Sequence, residues 1–411
     1  MAITNKWYPS KGRGVAVAME STFGTASTAE GDYRVIAPKN LEFEAGCDVI
    51  DPEYSRDDMM KSPSIVGRQT PTAKFALNVR GGVAAPSAGD PSEIYKELEY
   101  PLKAALGAPV SDVTAIAESG TVTTAVVVNG DNFKVGSVVL IDPDGTGTGA
   151  LYPRMIASIE SNTLYWTDAL GAAVESNGKI YGGVCYKAAF SIDQSMSMQL
   201  NTVKMDGSLY SVMLTGLGGK ATVGADEAGK ELLLNFELQG DSFAEQEAGS
   251  AIVTPVANPY PAAADRPNVL LARNATCLIN GDATPVAKFS FEPGYEIAEN
   301  QDQRGAQGRG IWKVTAQRPV INVTIPFAIF ARTGYTAGTI FRFVYAIANA
   351  ANGFAMATEA AQIAEVKESD INGVKAVDLK LECVRPEAAT HVNAALPAWS
   401  MAFFGEQMPL T

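Results

Sequence analysis

One stretch of the chain occurs twice, and that duplication limits the available folds more than any other feature. Residues 41–50 read LEFEAGCDVI and residues 289–298 read FSFEPGYEIA. Phe43 and Glu44 fall on Phe291 and Glu292, Gly46 on Gly294, and Asp48 and Val49 on Glu296 and Ile297, an offset of 248. The offset holds without a gap to Leu77 and Ile325, with Pro71 on Pro319. Few residues are identical, yet apolar, acidic, Gly and Pro positions stay in register. A period this long implies a duplicated domain rather than a stack of short repeats.

Within each copy apolar and polar residues alternate, Leu41 and Phe43 against Glu42 and Glu44, Phe289 and Phe291 against Ser290 and Glu292. That is the period of a strand with one buried and one wet face. Ala45-Gly46 and Pro293-Gly294 interrupt it, as at a bulge or bend. Polar loops follow at 51–64 and 299–310, then returning strands at 65–80 and 311–327, so each copy opens with a long hairpin whose tip is oversized. The offset also places residues 91–100 on 339–348. Ile94, Leu98, Leu102 and Leu106 share one helix face, with Pro91 in a first-turn position. Pro101 is expected to kink or divide that helix. The apolar segment 339–348 then reads as a second, more buried helix. Strands from Phe354 and over 377–383, joined by a turn at Asn372-Gly373, close copy two. Their counterpart is 232–238 at an offset of 145, so copy one holds 103 extra residues after its helix. The expected fold is mainly β (α+β), with two tandem domains of two β-hairpins and a helix each, interrupted by a small β-domain.

The expected boundaries follow. Residues 1–32 form an N-terminal arm, an anchored rather than packed element. Residues 33–107 and 208–240 form the first domain. Residues 108–207 hold the inserted β-domain and a strand, 190–200, that returns to the main fold. Short β-rich runs and the turns Asn129-Gly130 and Asn177-Gly178 suggest a small barrel or sandwich there. Residues 241–265 form a Pro-rich extended linker, 266–385 the second domain, and 386–411 a C-terminal arm. Trp399, Phe403 and Phe404 are too apolar to stay in water and should dock on their own or a neighbouring subunit.

Hydrophobic content of 46% and charged content of 19% belong to a folded chain. The net charge of −13 argues against gripping nucleic acid by its phosphates, though not against letting it pass. The four cysteines, Cys47, Cys185, Cys277 and Cys383, form no CxxC pair and read as small buried apolar residues. No signal peptide is apparent, and the most apolar run, 320–331, is too short to span a bilayer, so synthesis in the cytoplasm is expected. The only histidine, His391, has no nucleophile signature around it. Asp142 to Gly147 resembles the start of a calcium loop, but Pro153 stands where the twelfth-position acid is needed. Gly216 to Gly219 lacks a dinucleotide-site context. No catalytic, cofactor or metal residue is assigned, and no enzymatic step is expected.

Two sets of residues stand out for contact instead. Arg56, Asp57, Asp58 and Lys61 on one hairpin tip, with Arg304 and Arg309 on the other, sit on matched long loops and suggest protein–protein contacts. Glu42, Glu44, Asp48, Glu237, Glu292, Glu296 and Glu382 occupy wet strand faces. They read either as a solvated surface or as a lumen lined with negative charge.

Duplicated hairpins with long tip loops and acidic faces, together with KFALNV at 74–79 and WSMAFF at 399–404, resemble the tail tube proteins of long-tailed bacteriophages. The resemblance covers about 33–106, 209–240 and 266–404. It implies that hairpins of six tube domains close an inner β-barrel ring, with helices outside and rings stacked through the long loops. A fused pair of domains implies a homotrimer with pseudo-sixfold symmetry. Its expected partners are its own copies, a tape measure protein inside, and terminator and distal tail proteins at the ends. DNA would transit the virion tail without specific binding, and the insertion would decorate the exterior. Two other readings stay open: another phage structural protein (terminator, distal tail or decoration protein), or a carbohydrate-binding or hydrolytic β-protein with paired carboxylates.

Overall fold

Alternating residues dictate the central layer. In Leu233–Gln239, Leu234, Phe236 and Leu238 are buried while Asn235, Glu237 and Gln239 are exposed. The computed structural model describes residues 13–51, 64–83, 93–147, 150–188, 192–203, 209–246, 269–303, 307–329, 336–348, 352–385 and 396–405. The protein is mainly β, and its main sheet curls into a half-barrel. Eight strands of this sheet are numbered in chain order. Copy one supplies β1 (Lys39–Ile50), β2 (Ile65–Asn78), β3 (Leu209–Ala225) and β4 (Leu233–Gln239). Copy two supplies β5 (Lys288–Glu292), β6 (Val320–Pro326), β7 (Gly353–Ile371) and β8 (Val374–Cys383).

All pairings are antiparallel and run β1-β2-β4-β3-β5-β6-β8-β7. The same four-strand order, first, second, fourth, third, therefore occurs twice, and β3 of copy one pairs with β5 of copy two where they meet. The dry face packs Phe75, Phe236, Val223, Phe291, Ile321, Leu379 and Leu381 into one core. Phe75 stacks on Phe236 at 5.1 Å between ring centroids.

β3 and β7 also reach into a second layer. The first half of β3 pairs with Met196–Val203 on one side and Ser242–Gln246 on the other. The first half of β7 pairs with Ile340–Ala348 and Ser400–Phe404. The C-terminal strand, with Trp399 and Phe403 fully buried, thus docks on its own chain, between β7 and Val184–Lys187.

Several expectations are corrected. Residues 340–348 form a strand, not a second helix. Ile340, Phe341, Phe343, Val344 and Ile347 are β-branched or aromatic, and a strand covered on both faces is apolar all round, which is what made the segment look like a buried helix. Its counterpart is Met196–Val203, the returning strand of copy one, which lies at 196–203 rather than over the expected 190–200. The helix α1 (Lys96–Leu106) starts at Lys96 and contains Pro101 without being divided; in copy two, helical residues follow β6 at 327–329, where that described stretch ends. Gly107 ends it with φ +86°, its N–H donating to the Lys103 carbonyl at 2.9 Å. The N-terminal arm is packed from Arg13–Met19, where Val15, Ala16, Val17 and Ala18 are buried. The linker begins later than expected, because Ser242–Gln246 is a strand. At Gly46 β1 is not broken, and the irregularity expected there appears just beyond it as a register shift between Cys47 and Val49. In copy two the break is real: Gly294 has φ +62° and a Cβ there would meet the Arg318 carbonyl.

The insertion is a seven-stranded sheet with its own core around Phe133, Ile141, Leu164 and Trp166. It rests on the outer layer of copy two. Arg342 bonds Asp168 at 2.6 Å, Thr167 donates to Glu359 at 2.9 Å, and Val138, Leu140 and Tyr181 share a cluster with Val344, Ala355 and Ala402. At the root of the insertion Asp112 is fully buried, its N–H donating to the Gly183 carbonyl. Burial pushes its carboxyl up to about 6, offset in part by Ser137, Lys187 and Lys134. A carboxyl raised in the folded state binds its proton more tightly there than in the unfolded chain, so stability falls as pH rises from about 4 to about 6 and then levels. The loss is on the order of 3 kcal/mol. Urea unfolding at pH 4.5 and 7 should show this slope, and Asp112→Asn should flatten it.

Candidate functional site

The exposed face of the eight-stranded sheet collects most of the acids singled out above. Glu42, Glu44, Glu237, Glu292 and Glu382 all project from it and are exposed. The registers also bring lysines between them, which the sequence pattern had not indicated. Glu42 lies opposite Lys74, Lys74 opposite Glu237, and Glu237 opposite Lys220, a row of alternating charge across four strands. In copy two Lys288, Thr324, Asp378 and Lys367 form one such row, and Ser290, Asn322, Lys380 and Glu365 the next. These residues line a groove of about 370 Å³. Two rows are acidic without a base, Glu292, Val320, Glu382, Gln362 in copy two and Glu44, Thr72, Gln239, Gly218 in copy one. The face is therefore strongly polar and mixed in charge rather than uniformly negative. Exposed pairs such as Lys74–Glu237, at 3.4 Å, add little stability; their effect is to keep the face wet and in register.

Two of the acids lie elsewhere. Asp48, half-buried near the far end of β1, accepts from Arg68 at 3.0 Å. Glu296 sits on a separate hairpin, Tyr295–Gln301 with Arg309–Gln317, and meets Arg318 at 3.5 Å.

That separate hairpin is the tip element of copy two, and it corrects the reading of Arg309. Expected in an exposed contact loop, Arg309 is 3% exposed. Its guanidinium carries five donors in a fixed fork, and the fold surrounds them with acceptors. It donates to Glu299 at 3.1 Å, to the Gly240 carbonyl at 3.3 Å and to the Gln69 carbonyl, and it lies 3.4 Å from Asp241. Arg68 joins the same cluster through Glu299 at 2.7 Å, and Gln307 accepts from the Gln69 N–H. Trp312 packs beside Arg309 and donates its indole N–H to the Gly216 carbonyl. Arg309 thus bolts the hairpin of copy two to the hairpin of copy one. Burial pushes the Asp241 carboxyl up, and Arg309 pulls it back. Arg56, Asp57, Asp58, Lys61 and Arg304 lie outside the described residues, as does His391.

A third feature escaped the sequence reading. At the end of the first hairpin Val49 faces Val66 and Ile50 faces Ile65, and all four are between 51% and 71% exposed. Val49 and Ile50 are consecutive and so point to opposite faces of the hairpin, and among the described residues neither face is covered. Such a patch marks a contact surface.

The groups considered for other chemistry behave as structure. Asp144 accepts from the Thr146 N–H and hydroxyl, and Asp142 from the Gly147 N–H, so these carboxylates hold a turn. Among the described residues no group of three or more His, Cys, Asp or Glu is placed to hold a metal ion. Cys185, Cys277 and Cys383 are buried and their thiols are pushed up to about 12 by burial. No helix among the described residues is long and apolar enough to cross a membrane. Comparison of the sequence with protein-family models and with curated proteins finds no match.

Removing Arg309 would leave Asp241 and Glu299 facing each other without their cation. Breaking a buried pair in this way costs about 3–5 kcal/mol. Arg309→Ala should lower the unfolding midpoint accordingly. Arg68→Ala, at a far more exposed site, should cost under about 1 kcal/mol.

Proposed function

We propose that the chain is a structural protein that joins copies of itself into a ring and stacks rings into a hollow tube, as the tail tube proteins it resembles do. The single observation that carries this reading is the repeated strand order. Two four-stranded units lie edge to edge in one curled sheet, and the join between them is itself a strand pairing. A sheet that adds units edge to edge leaves two open edges, and closing on further copies removes them. A head-to-tail contact that closes by rotation makes a ring. Two units per chain fit three chains in a pseudo-sixfold ring.

The layering favours one orientation. The dry face is covered by the outer layer of the same chain, with α1 and the insertion on that side. The polar face is left to line a channel. Its carboxylates would repel a DNA backbone while its lysines temper the field, so a polyanion would pass without lodging. The insertion would stand outside. The tape measure, terminator and distal tail partners, the virion location and the absence of an enzymatic step belong to the same proposal. The exposed aliphatic end of the first hairpin, Val49, Ile50, Ile65 and Val66, would meet the next ring together with the tip loops.

Negative-stain electron microscopy with light scattering tests the reading. Hollow rings or tubes with three chains per ring are expected; a monomer at every concentration, with or without tail extract, would overturn it. Val49→Asp with Val66→Asp should keep the fold and single rings but shorten or abolish tubes.

A further inference from the structure

Copy one meets copy two through a join that the chain displays once, and the repeat says where it should occur again. In that join β3 and β5 pair Val223 with Phe291, Gly224 with Ser290 and Ala225 with Phe289. The registers of β3 on β4 and of β7 on β8 superpose the repeats. Leu234 corresponds to Leu379, so Val223 corresponds to Val366, Gly224 to Lys367 and Ala225 to Glu368. On the other side, Phe291, Ser290 and Phe289 correspond to Phe43, Glu42 and Leu41.

We propose that residues 366–368 at the outer edge of β7 pair antiparallel with residues 41–43 of β1 in another copy of this chain, setting Val366 opposite Phe43, Lys367 opposite Glu42 and Glu368 opposite Leu41. The proposal rests on the ring of copies described above and specifies the contact that forms it. Three observations support it independently of the repeat. Among the described strands, β1 is laddered to β2 alone, and the second half of β7 to β8 alone.

Burial differs in the sense required. Phe289 and Phe291, inside the internal join, are 2% and 0% exposed, whereas their equivalents Leu41 and Phe43 are only partly buried. Val223 is 1% exposed, whereas Val366 is again only partly buried. A second copy in this register would cover the apolar residues that the single chain leaves half open.

Charge also continues across the junction. Asp378 lies opposite Lys367 on one side, and Glu42, Lys74, Glu237 and Lys220 follow on the other. The contact joins them into one row in which acid and base alternate at every strand. A slip by one residue would turn Lys367 and Glu42 to opposite faces. A slip by two on β7 would set Glu42 against Glu365 instead, a like-charge pair.

Two measurements on assembled protein test the register. Wild-type assemblies treated with a carbodiimide should form an amide between the Lys367 amine and the Glu42 carboxylate with loss of water, read as an interchain peptide pair by mass spectrometry. In a Cys47→Ser background, Glu42→Cys with Lys367→Cys should oxidise into covalent rings on a non-reducing gel. The yield should be roughly tenfold that of Glu42→Cys with Glu365→Cys or Ser369→Cys, because directly opposed residues meet disulfide geometry and diagonal ones do not. Rings or tubes visible by microscopy that lack both links, or that link best off register, would overturn this contact and leave the conduit reading standing. A wild-type protein that stays monomeric would overturn both.

Discussion

Backbone pairing along β3 and β7 is the constraint on which the rest of the structure depends. Each strand spends its first half in the outer layer and its second half in the polar-faced sheet. An N–H or carbonyl buried without a partner costs about 1–3 kcal/mol, so a strand that changes layers must find a ladder in both. The neighbours of β3 and β7 supply those ladders, and in doing so they fix the distance and direction between layers. The apolar core then fills a space whose walls are already set.

The same economy explains the two hairpin tips. The hairpin of copy two breaks from the sheet at Pro293-Gly294, and it needs something to hold it. Arg309 does so with a buried fork of hydrogen bonds to Gln69, Gly240 and Glu299. The strands of copy one's hairpin continue past Gly46, and their last described pairs, Val49 with Val66 and Ile50 with Ile65, are exposed. The hairpin of copy two is therefore tied back into the chain, while the described end of the copy-one hairpin stays exposed. The insertion is held in a comparable way. It leaves copy one yet packs on copy two, Asp168 pairing with Arg342 and Thr167 donating to Glu359.

Much of this was legible in the residues. The offset between Phe43 and Phe291, and that between Leu234 and Leu379, correctly paired the strands of the two copies, because alternation and Gly/Pro placement survive when identity does not. The inserted β-domain, the returning strand and the docked C-terminal strand were legible for the same reason, since each follows from a local run of apolar or β-branched residues. The misread segments share a cause as well. Residues 340–348 are apolar on every side, and such a run has no period by which a doubly covered strand differs from a buried helix. Residues 13–19 look like a plain arm until Met196–Val203 is there to pair with them.

By itself, then, the amino-acid order determined the mainly β character and the wet and dry sides of strands such as Leu233–Gln239, and it matched Phe43 with Phe291 and Leu234 with Leu379, since these depend on near neighbours and on side-chain period. The tertiary structure alone decided that Arg309 is a buried bolt rather than a contact residue, and that lysines separate the carboxylates on the polar face. It alone decided that Val49 and Val66 have no core beneath them. The first two properties depend on register between strands far apart in the chain, where a shift of one residue turns a side chain to the other face; the third depends on what the rest of the fold leaves uncovered.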